Sequence, residues 1–224
     1  MKWLIILLMT CLIGPLRSEV SGIEMKKRVC SILPNLRGWC SQEKALHFID
    51  LVLETEPDVC VEIGVFGGAS LFPVASALKY LEHGVVIAID PWDTFECIKY
   101  LDPIENQADL EWWGELDMDY VYDLYVKMVK TYGLEDFCST LRMTSQEASD
   151  EVGSIDILHI DGNHSEISFT EDVKLYLPKV RRGGYIWLND AIWENAQEAI
   201  EILLEDCDVV KVIDSGNCLL FQKK

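Results

Sequence analysis

Basic residues are scarce in this chain of 224 residues. Only 19 lysines and arginines stand against 38 aspartates and glutamates, which gives a formal net charge of −19 at pH 7. A field of this sign repels phosphate backbones and anionic lipid surfaces. The composition therefore argues against nucleic acid as a substrate or partner. Half of the residues are hydrophobic, which is enough for the core of one α/β domain.

Cysteine motifs are missing as well. Eight cysteines occur, but there is no Cys-x-x-Cys pair or Cys/His cluster that would indicate zinc. Cys11 lies in an apolar leader and Cys60 in a predicted core strand, so the set does not form a disulfide framework. Cys30 and Cys40 are close in sequence and outside the predicted core. We expect them to pair only if the chain is exported.

A hydrophobic run long enough to span a bilayer comfortably is also absent. Residues 1–22 hold one early lysine followed by a short apolar run, which is typical of a signal peptide. No Ala-x-Ala cleavage site is present. Two alternatives stay open, an uncleaved apolar helix and a true start at Met25. After removal of the leader we expect no stable membrane span.

A glycine-rich turn follows the first predicted strand, residues 59–63, and belongs to a βαβ nucleotide-binding unit. No lysine follows the turn, which excludes a Walker loop, and Gly64-x-x-Gly67 lacks the G-x-G-x-x-G spacing of an NAD site. Glu62 precedes the turn and Asp90 ends the second strand. This pair suits the cationic amino-acid end and the ribose diol of S-adenosylmethionine. The alternative is a glycine-rich turn in another α/β fold.

This unit resembles that of the class I S-adenosylmethionine-dependent methyltransferases, and the resemblance runs over about residues 43–224. It implies an α/β, Rossmann-like fold with a seven-stranded, mostly parallel sheet, a C-terminal antiparallel hairpin and helices on both faces. Ser145 and Gln146 match the G-x-S-Q run that holds the adenine edge in catechol-type members, although Met143 replaces its glycine. Ser145 is also a candidate helix N-cap. The cofactor-binding residues implied are Glu62, Gly64, Val65, Phe66, Gly67, Ser70, Asp90, Trp92, Ser145, Gln146 and Asp161.

Residues 92–119 show no helix or strand periodicity. From residue 93 to 123 ten acids stand against the single Lys99. In a Rossmann-type sheet the loop after a strand lies over the ligand crevice. One interpretation is a substrate lid that favours a neutral or cationic acceptor; the other is a solvated acidic insertion. The aromatic residues that would stack on a ring or sugar are Phe95, Tyr100, Trp112 and Trp113.

Two polar motifs end the fourth and fifth predicted strands, at residues 158–164 and 183–190. They resemble the I-D-G-D-H and G-G-x-x-x-x-D-D motifs of macrocin-type sugar O-methyltransferases. That resemblance implies Mg²⁺ ligands at Asp161, Asn189 and Asp190. A hard cation there would lower the pKa of the acceptor hydroxyl while a neighbouring base removes its proton.

The chain departs from this pattern at two positions. Asn163 stands where the family has the Asp that acts as catalytic base. Asn189 stands where the first Asp of the pair is expected, which lowers the negative charge of the metal ligands. Catechol-type sites place the base three residues after the first Asp, and His164 is at that position. We therefore predict Asp161 and His164 as catalytic residues. The alternative is that Asn163 and His164 only cap the next helix.

Three segments follow from these patterns: a leader at 1–22, an N-terminal extension of short turns at 23–42, and a methyltransferase domain at 43–224 with its lid at 92–119. The expected activity is O-methylation of a sugar or phenolic hydroxyl. The alternatives are a non-catalytic nucleoside or small-molecule binding protein on this scaffold and a related hydroxylase. The leader favours export and the cofactor favours the cytoplasm. A homodimer is an open alternative to a monomer.

Overall fold

The computed structural model describes residues 19–104 and 106–224, so the first 18 residues of the predicted leader lie outside it. The helices are α1 (Glu19–Ile32), α2 (Gln42–Thr55), α3 (Leu71–Leu81), α4 (Thr94–Ile98), α5 (Gln107–Gly114), α6 (Met118–Tyr132), α7 (Ser145–Ala148), α8 (Glu166–Tyr176) and α9 (Gln197–Asp206). The strands are β1 (Val59–Ile63), β2 (Val85–Ile89), β3 (Cys138–Leu141), β4 (Ile155–Ile160), β5 (Val180–Leu188), β6 (Cys207–Ile213) and β7 (Cys218–Lys223).

The seven strands form one sheet in the order β3-β2-β1-β4-β5-β7-β6. β1 to β5 are parallel, and β7 is antiparallel to both β5 and β6. This confirms the predicted Rossmann-like class, including the C-terminal hairpin, in which Ile213 pairs with Cys218. The order reverses between β1 and β4, and the loops that follow these two strands therefore diverge and open a crevice at their carboxyl ends.

Helices cover both faces of the sheet. One core contains buried residues of α2, α3 and α6, and the other contains buried residues of α8 and α9. The N-cap of α2 is Ser41, whose side chain accepts a hydrogen bond from the Lys44 backbone N–H. The face of α2 that packs against the core is buried. At the centre, the rings of Phe48 and Trp187 stack with 4.0 Å between centroids.

The expectation of short turns throughout residues 23–42 is wrong, because the 14-residue helix α1 extends to Ile32. Val29 of this helix is 2% exposed, and Met25 and Ile32 pack against the same core. These three positions have helical spacing, which the surrounding charged residues obscure in the sequence. Beyond the helix the extension continues to the glycine turn, where Arg37 forms an isolated bridge with Gly68.

The segment 92–119 contains two short helices, α4 and α5, where the sequence shows no periodicity. Neither helix has a fully buried residue, which explains why no apolar face is visible in the sequence. The seven described cysteines, including Cys30 and Cys40, carry free thiols. Within the described residues, no helix combines the length and apolarity needed to cross a bilayer.

Candidate active site

A large cavity lies at the carboxyl ends of the parallel strands, at the point where the strand order reverses. Residues of the glycine turn form one wall, the end of β4 forms another, and the lid segment lies across the opening. Eight of the eleven predicted cofactor-binding residues line it. These are Gly64, Val65, Phe66, Ser70, Asp90, Ser145, Gln146 and Asp161.

Gly64 allows the glycine turn to pass close to β4. Its φ is +84°, and a Cβ at this position would lie 2.0 Å from the Asp161 backbone oxygen. Its N–H donates to the carbonyl of Ile89 at 2.9 Å. A side chain at residue 64 would therefore separate the two strand ends that form the cavity floor.

Asp90 organises the backbone around this turn. Its Oδ2 accepts hydrogen bonds from the N–H groups of Val65 and Phe66 at 2.9 and 2.8 Å, and its Oδ1 accepts from Trp92 at 2.7 Å. Phe66 and Trp92 have φ values of 50° and 46°, in the left-handed region that non-glycine residues rarely adopt. Burial raises the pKa of Asp90, while these backbone hydrogen bonds oppose that shift. Asp90 therefore shapes the turn in addition to lining the cavity.

Glu62 does not line the large cavity, in contrast to the expected contact with the cofactor's amino-acid end. It lies beneath the turn, 1% exposed, where Oε1 accepts from Ser70 Oγ at 2.5 Å. Oε2 is 3.6 Å from His159 Nδ1. In the described part of the chain, Oε2 and both His159 ring nitrogens lack hydrogen-bond partners. A small cavity of about 10 Å³ beside them has room for about one water molecule.

Gly67 and Trp92 also lie outside the cavity lining. A Cβ at residue 67 would meet the Arg37 carbonyl oxygen at 2.4 Å, so this glycine accommodates the N-terminal extension. Trp92 is 2% exposed and donates its indole N–H to the Phe66 carbonyl at 2.8 Å. Its ring stacks on Tyr125 at 5.1 Å. These two residues support the turn from behind.

A cluster of titratable groups stands at the ends of β4 and β5. Asp161, His164 and Asp190 each offer one atom, and these atoms lie within 4.8 Å of one another. His164 Nε2 is 3.0 Å from Asp190 Oδ2 and 3.8 Å from Asp161 Oδ1. Burial lowers the pKa of His164, but the two neighbouring carboxylates outweigh it and raise that pKa to about 9. At neutral pH the ring therefore carries a proton between the two acids.

Asn189 makes a different contact from the one expected of a metal ligand. Its Oδ1 accepts from Lys44 Nζ at 2.6 Å and from Cys218 Sγ at 3.0 Å. Its Nδ2 donates to Asp161 and Asp190, both at 2.8 Å. In this conformation Asn189 offers the carboxylates hydrogen-bond donors, because the buried lysine binds its only oxygen.

The donor set still fits a divalent cation. Asp161 and Asp190 offer hard carboxylate oxygens on one side of the cluster, and Mg²⁺ is commonly bound by one or two carboxylates with water completing its shell. His164 adds an imidazole nitrogen, a ligand that suits transition metals better. The two aspartates are therefore the residues that would hold Mg²⁺, without Asn189 in its present conformation.

Ser145, Gln146 and Asp172 also line the cavity. The N-cap of α7 is Thr144, which forms a capping box with Glu147, so the expectation that Ser145 caps the helix is wrong by one residue. Ser145 instead donates its hydroxyl to Asp172. Burial raises the pKa of Asp172 to about 7, and the bond from Ser145 opposes this shift.

The sequence profile of the family described as "Methyltransferase domain" matches residues 61–191, more than half of the chain. The chain belongs to this family. The match contains the glycine turn, the lid and the whole titratable cluster. The search of curated proteins found no match to this sequence.

Solved structures with the same fold are similar to this methyltransferase. The O-methyltransferase NovP has a TM-score of 0.70 at 15% identity, with 92% of this chain and 98% of that chain covered. TomG from Streptomyces achromogenes, an O-methyltransferase involved in tomaymycin synthesis and solved with SAM, has a TM-score of 0.62 at 15% identity, with 90% of both chains covered. The SAH-bound methyltransferase PaMTH1 from Podospora anserina has a TM-score of 0.62 at 13% identity, with 91% and 88% covered.

Several site residues of this methyltransferase are not evident from the sequence motifs. Lys44 is 6% exposed on the inward side of α2 and was not predicted as a site residue. Asp172 lies between the inward positions Phe169 and Val173, and an acid on an apolar helix face is the signal that was available. Trp39 gives no such signal. It lines the cavity mouth and stacks on Phe66 at 5.2 Å.

The helix after β4 is capped by Ser165, whose side chain accepts from the Ser168 N–H. The interpretation that Asn163 and His164 serve only as caps is therefore wrong. Asn163 instead contacts the lid, because its Nδ2 lies within hydrogen-bond distance of three lid carbonyls.

Proposed function

We propose that this chain binds S-adenosylmethionine and transfers its methyl group to a hydroxyl oxygen of a small molecule. The observation that carries the proposal is the placement of the glycine turn and Asp90 on one wall of the cavity and of Asp161 and His164 on the other. A methyl donor and an acceptor hydroxyl can meet between these walls, since in-line transfer requires both in one pocket. Family membership and the SAM-bound structural neighbour support the choice of donor.

The donor site in this proposal extends from Gly64 to Ser145. The cavity is rich in acids, and a sulfonium is a cation that such a field attracts. Ser145, Gln146 and Asp172 form the end at which the adenine would lie, because hydroxyl, amide and carboxyl groups match its amino group and ring nitrogens. Asp90 would accept from the ribose while retaining its backbone contacts.

His164 is the proposed base, and Asp161 and Asp190 hold its ring at 3.8 and 3.0 Å. The ring, which is 28% exposed, would first release its own proton to solvent, and the neutral imidazole would then accept the proton of the acceptor hydroxyl. Asp161 and Asp190 would hold Mg²⁺, which would lower the pKa of the acceptor hydroxyl. Asn189 donates hydrogen bonds to both carboxylates, and Lys44 holds the Asn189 amide by donating to its oxygen.

The acceptor in this proposal is a neutral or cationic compound with a ring, such as a sugar or a phenol. Aromatic rings of Trp39, Tyr100, Trp113 and Trp193 line the outer part of the cavity. Among the described lining residues Lys99 is the cation of the lid, and Glu96 pairs with it at 3.2 Å. A phosphate-bearing acceptor such as a coenzyme A ester would find no free cation there.

Calorimetric titration of the full chain with S-adenosylmethionine tests the donor site. We expect micromolar binding, and a loss of about tenfold or more with Asp90→Ala, because the turn loses three backbone contacts. Asp206→Asn, a change at an exposed acid, is the matched control. Absence of binding by the unaltered protein would overturn the proposal.

Methyl transfer is tested with three catechols that carry a neutral, an aminoethyl or a carboxylate substituent. A methyl glycoside is the fourth acceptor. We expect methylated product with the neutral and cationic acceptors and little with the carboxylate. His164→Ala should lower turnover by about 10²–10⁴-fold and leave donor affinity unchanged. His83→Ala, at an exposed histidine, should change neither turnover nor donor affinity. Full turnover by His164→Ala would contradict the role of this histidine.

A further inference from the structure

The C-terminal end of α4 presents three backbone carbonyls towards β4. A helix leaves its last carbonyls without intrahelical partners, and here the carbonyl oxygens of Glu96, Cys97 and Lys99 lie 2.9, 3.0 and 3.0 Å from Asn163 Nδ2. One side-chain amide therefore contacts three acceptors, two from a five-residue helix and one from its C-cap residue. Its two hydrogens are shared among them.

Asn163 is itself held on the opposite side. Its Oδ1 accepts from the Ser165 N–H at 2.8 Å, which directs the amide nitrogen away from α8 and towards the lid. Ser165 is the N-cap of α8, so the amide orientation is fixed by the start of a core helix. The lid is thereby joined to a rigid part of the domain.

The other attachments of the lid are shallow, because Cys97 and Trp113 pack against the core only as partly buried side chains. Neither α4 nor α5 has a fully buried residue, and Phe95 is 65% exposed. Segments with so little buried surface open at low free energy. Yet Glu96, Cys97 and Lys99 all line the cavity, so the position of α4 determines its shape on the acceptor side.

We propose that Asn163 is a positioning residue that holds the lid closed over the acceptor side of the cavity. The position requires a hydrogen-bond donor, which an asparagine supplies and an ionised aspartate does not. A carboxylate there would face three carbonyl oxygens, and neither side could donate a hydrogen bond. The asparagine at this position is therefore explained by the lid contact and not by proton transfer.

Limited proteolysis of the full chain tests the contact directly. Lys99 is the only lysine or arginine from residue 93 to 119, so trypsin has one site in the lid. We expect Asn163→Asp to accelerate cleavage after Lys99 by about tenfold or more relative to cleavage after Lys127, an exposed site in α6. Asn163→Ala, which removes the donors without adding charge, should show the same effect more weakly.

Asn35→Asp is the matched control, because it makes the same change at an exposed residue outside the cavity and should leave both cleavage rates unchanged. Unchanged cleavage after Lys99 in both Asn163 variants would overturn the proposal. Equal acceleration at Lys99 and Lys127 would also overturn it, because residue 163 would then support the whole fold.

The expected effect on binding of the methyl acceptor rests on the proposed function. With catechol as the probe, Asn163→Asp should raise KM for the acceptor and leave the affinity for S-adenosylmethionine unchanged. A higher turnover number would overturn the inference, because residue 163 would then act as a base. If the unaltered protein methylates nothing but the proteolysis result holds, the proposed function fails and the lid contact stands.

Discussion

At the scale of single residues, Asp172 is the group for which the structure gives the clearest pH dependence. Its side chain is buried, and burial raises its pKa to about 7 in the folded protein, against about 3.9 in an unfolded chain. The folded state therefore holds this proton more tightly. The stabilisation from Asp172 is fully present below about pH 4 and is lost as the pH rises through 7.

Asp172→Asn should remove this dependence, because the amide stays neutral and its oxygen can still accept from Ser145. We expect the variant to gain stability over the unaltered protein between pH 4.5 and pH 8, by on the order of a few kcal/mol. The measurement is the free energy of unfolding by urea at both pH values. Asp206→Asn, at an exposed acid, should follow the unaltered protein. Parallel pH profiles for Asp172→Asn and the unaltered protein would show that Asp172 titrates normally.

At the scale of elements, the start of α7 divides two roles between neighbouring residues. Ser145 was the candidate both for capping the helix and for lining the cavity, but Thr144 is the cap. Thr144 and Glu147 form the capping box, and this leaves the Ser145 hydroxyl free to reach Asp172. Thr144→Ala should therefore cost about 1 kcal/mol of unfolding free energy at both pH 5 and pH 8. Ser145→Ala keeps the cap and removes a bond that lowers the pKa of Asp172. Its cost should appear mainly above pH 7.

Urea unfolding of these two variants at pH 5 and pH 8 distinguishes the roles. A pH-independent loss in Ser145→Ala together with no loss in Thr144→Ala would reverse the assignment and restore Ser145 as the cap. The two side chains are adjacent and both carry a hydroxyl, so each variant serves as the control for the other.

The sequence predicted elements where the burial pattern is regular and missed them where it is sparse. α2 shows its inward face at Phe48 and Ile49, and the parallel strands are short apolar runs. α1 buries mainly Val29 among the residues whose burial is described, so its period is weak. α4 and α5 bury no residue fully, and local sequence gives no helical signal for such elements.

For the site, motif spacing located the residues but not their orientations. Asp161, His164 and Asp190 come together as expected, because the ends of neighbouring parallel strands meet at one edge. The amide of Asn189 is turned by Lys44, which is 145 residues away in the chain. Glu62 is directed under the turn by Ser70 and not into the cavity. Long-range hydrogen bonds decide both orientations, and a short motif does not contain them.

At the scale of the whole molecule, the net charge of −19 is the dominant electrostatic feature. Like charges repel within the folded chain, and added salt screens them, since the Debye length falls from about 30 Å at 0.01 M to about 10 Å at 0.1 M. We therefore expect Tm to rise by several degrees between 0.01 and 0.3 M NaCl. A Tm that falls over this range would show that favourable ion pairs outweigh the repulsion.

A specific divalent site adds to this general screening, and the two effects separate at constant ionic strength. A cation that binds only the folded state raises Tm in proportion to the logarithm of its concentration above Kd. If Asp161 and Asp190 hold Mg²⁺, MgCl₂ should raise Tm further than NaCl of equal ionic strength. Asp190→Ala should abolish that difference while its response to NaCl persists, whereas Asp206→Asn should retain both. If the extra effect of MgCl₂ persists in Asp190→Ala, the cation binds elsewhere on this acidic surface, and the proposed hydroxyl activation at Asp161 and Asp190 loses its support.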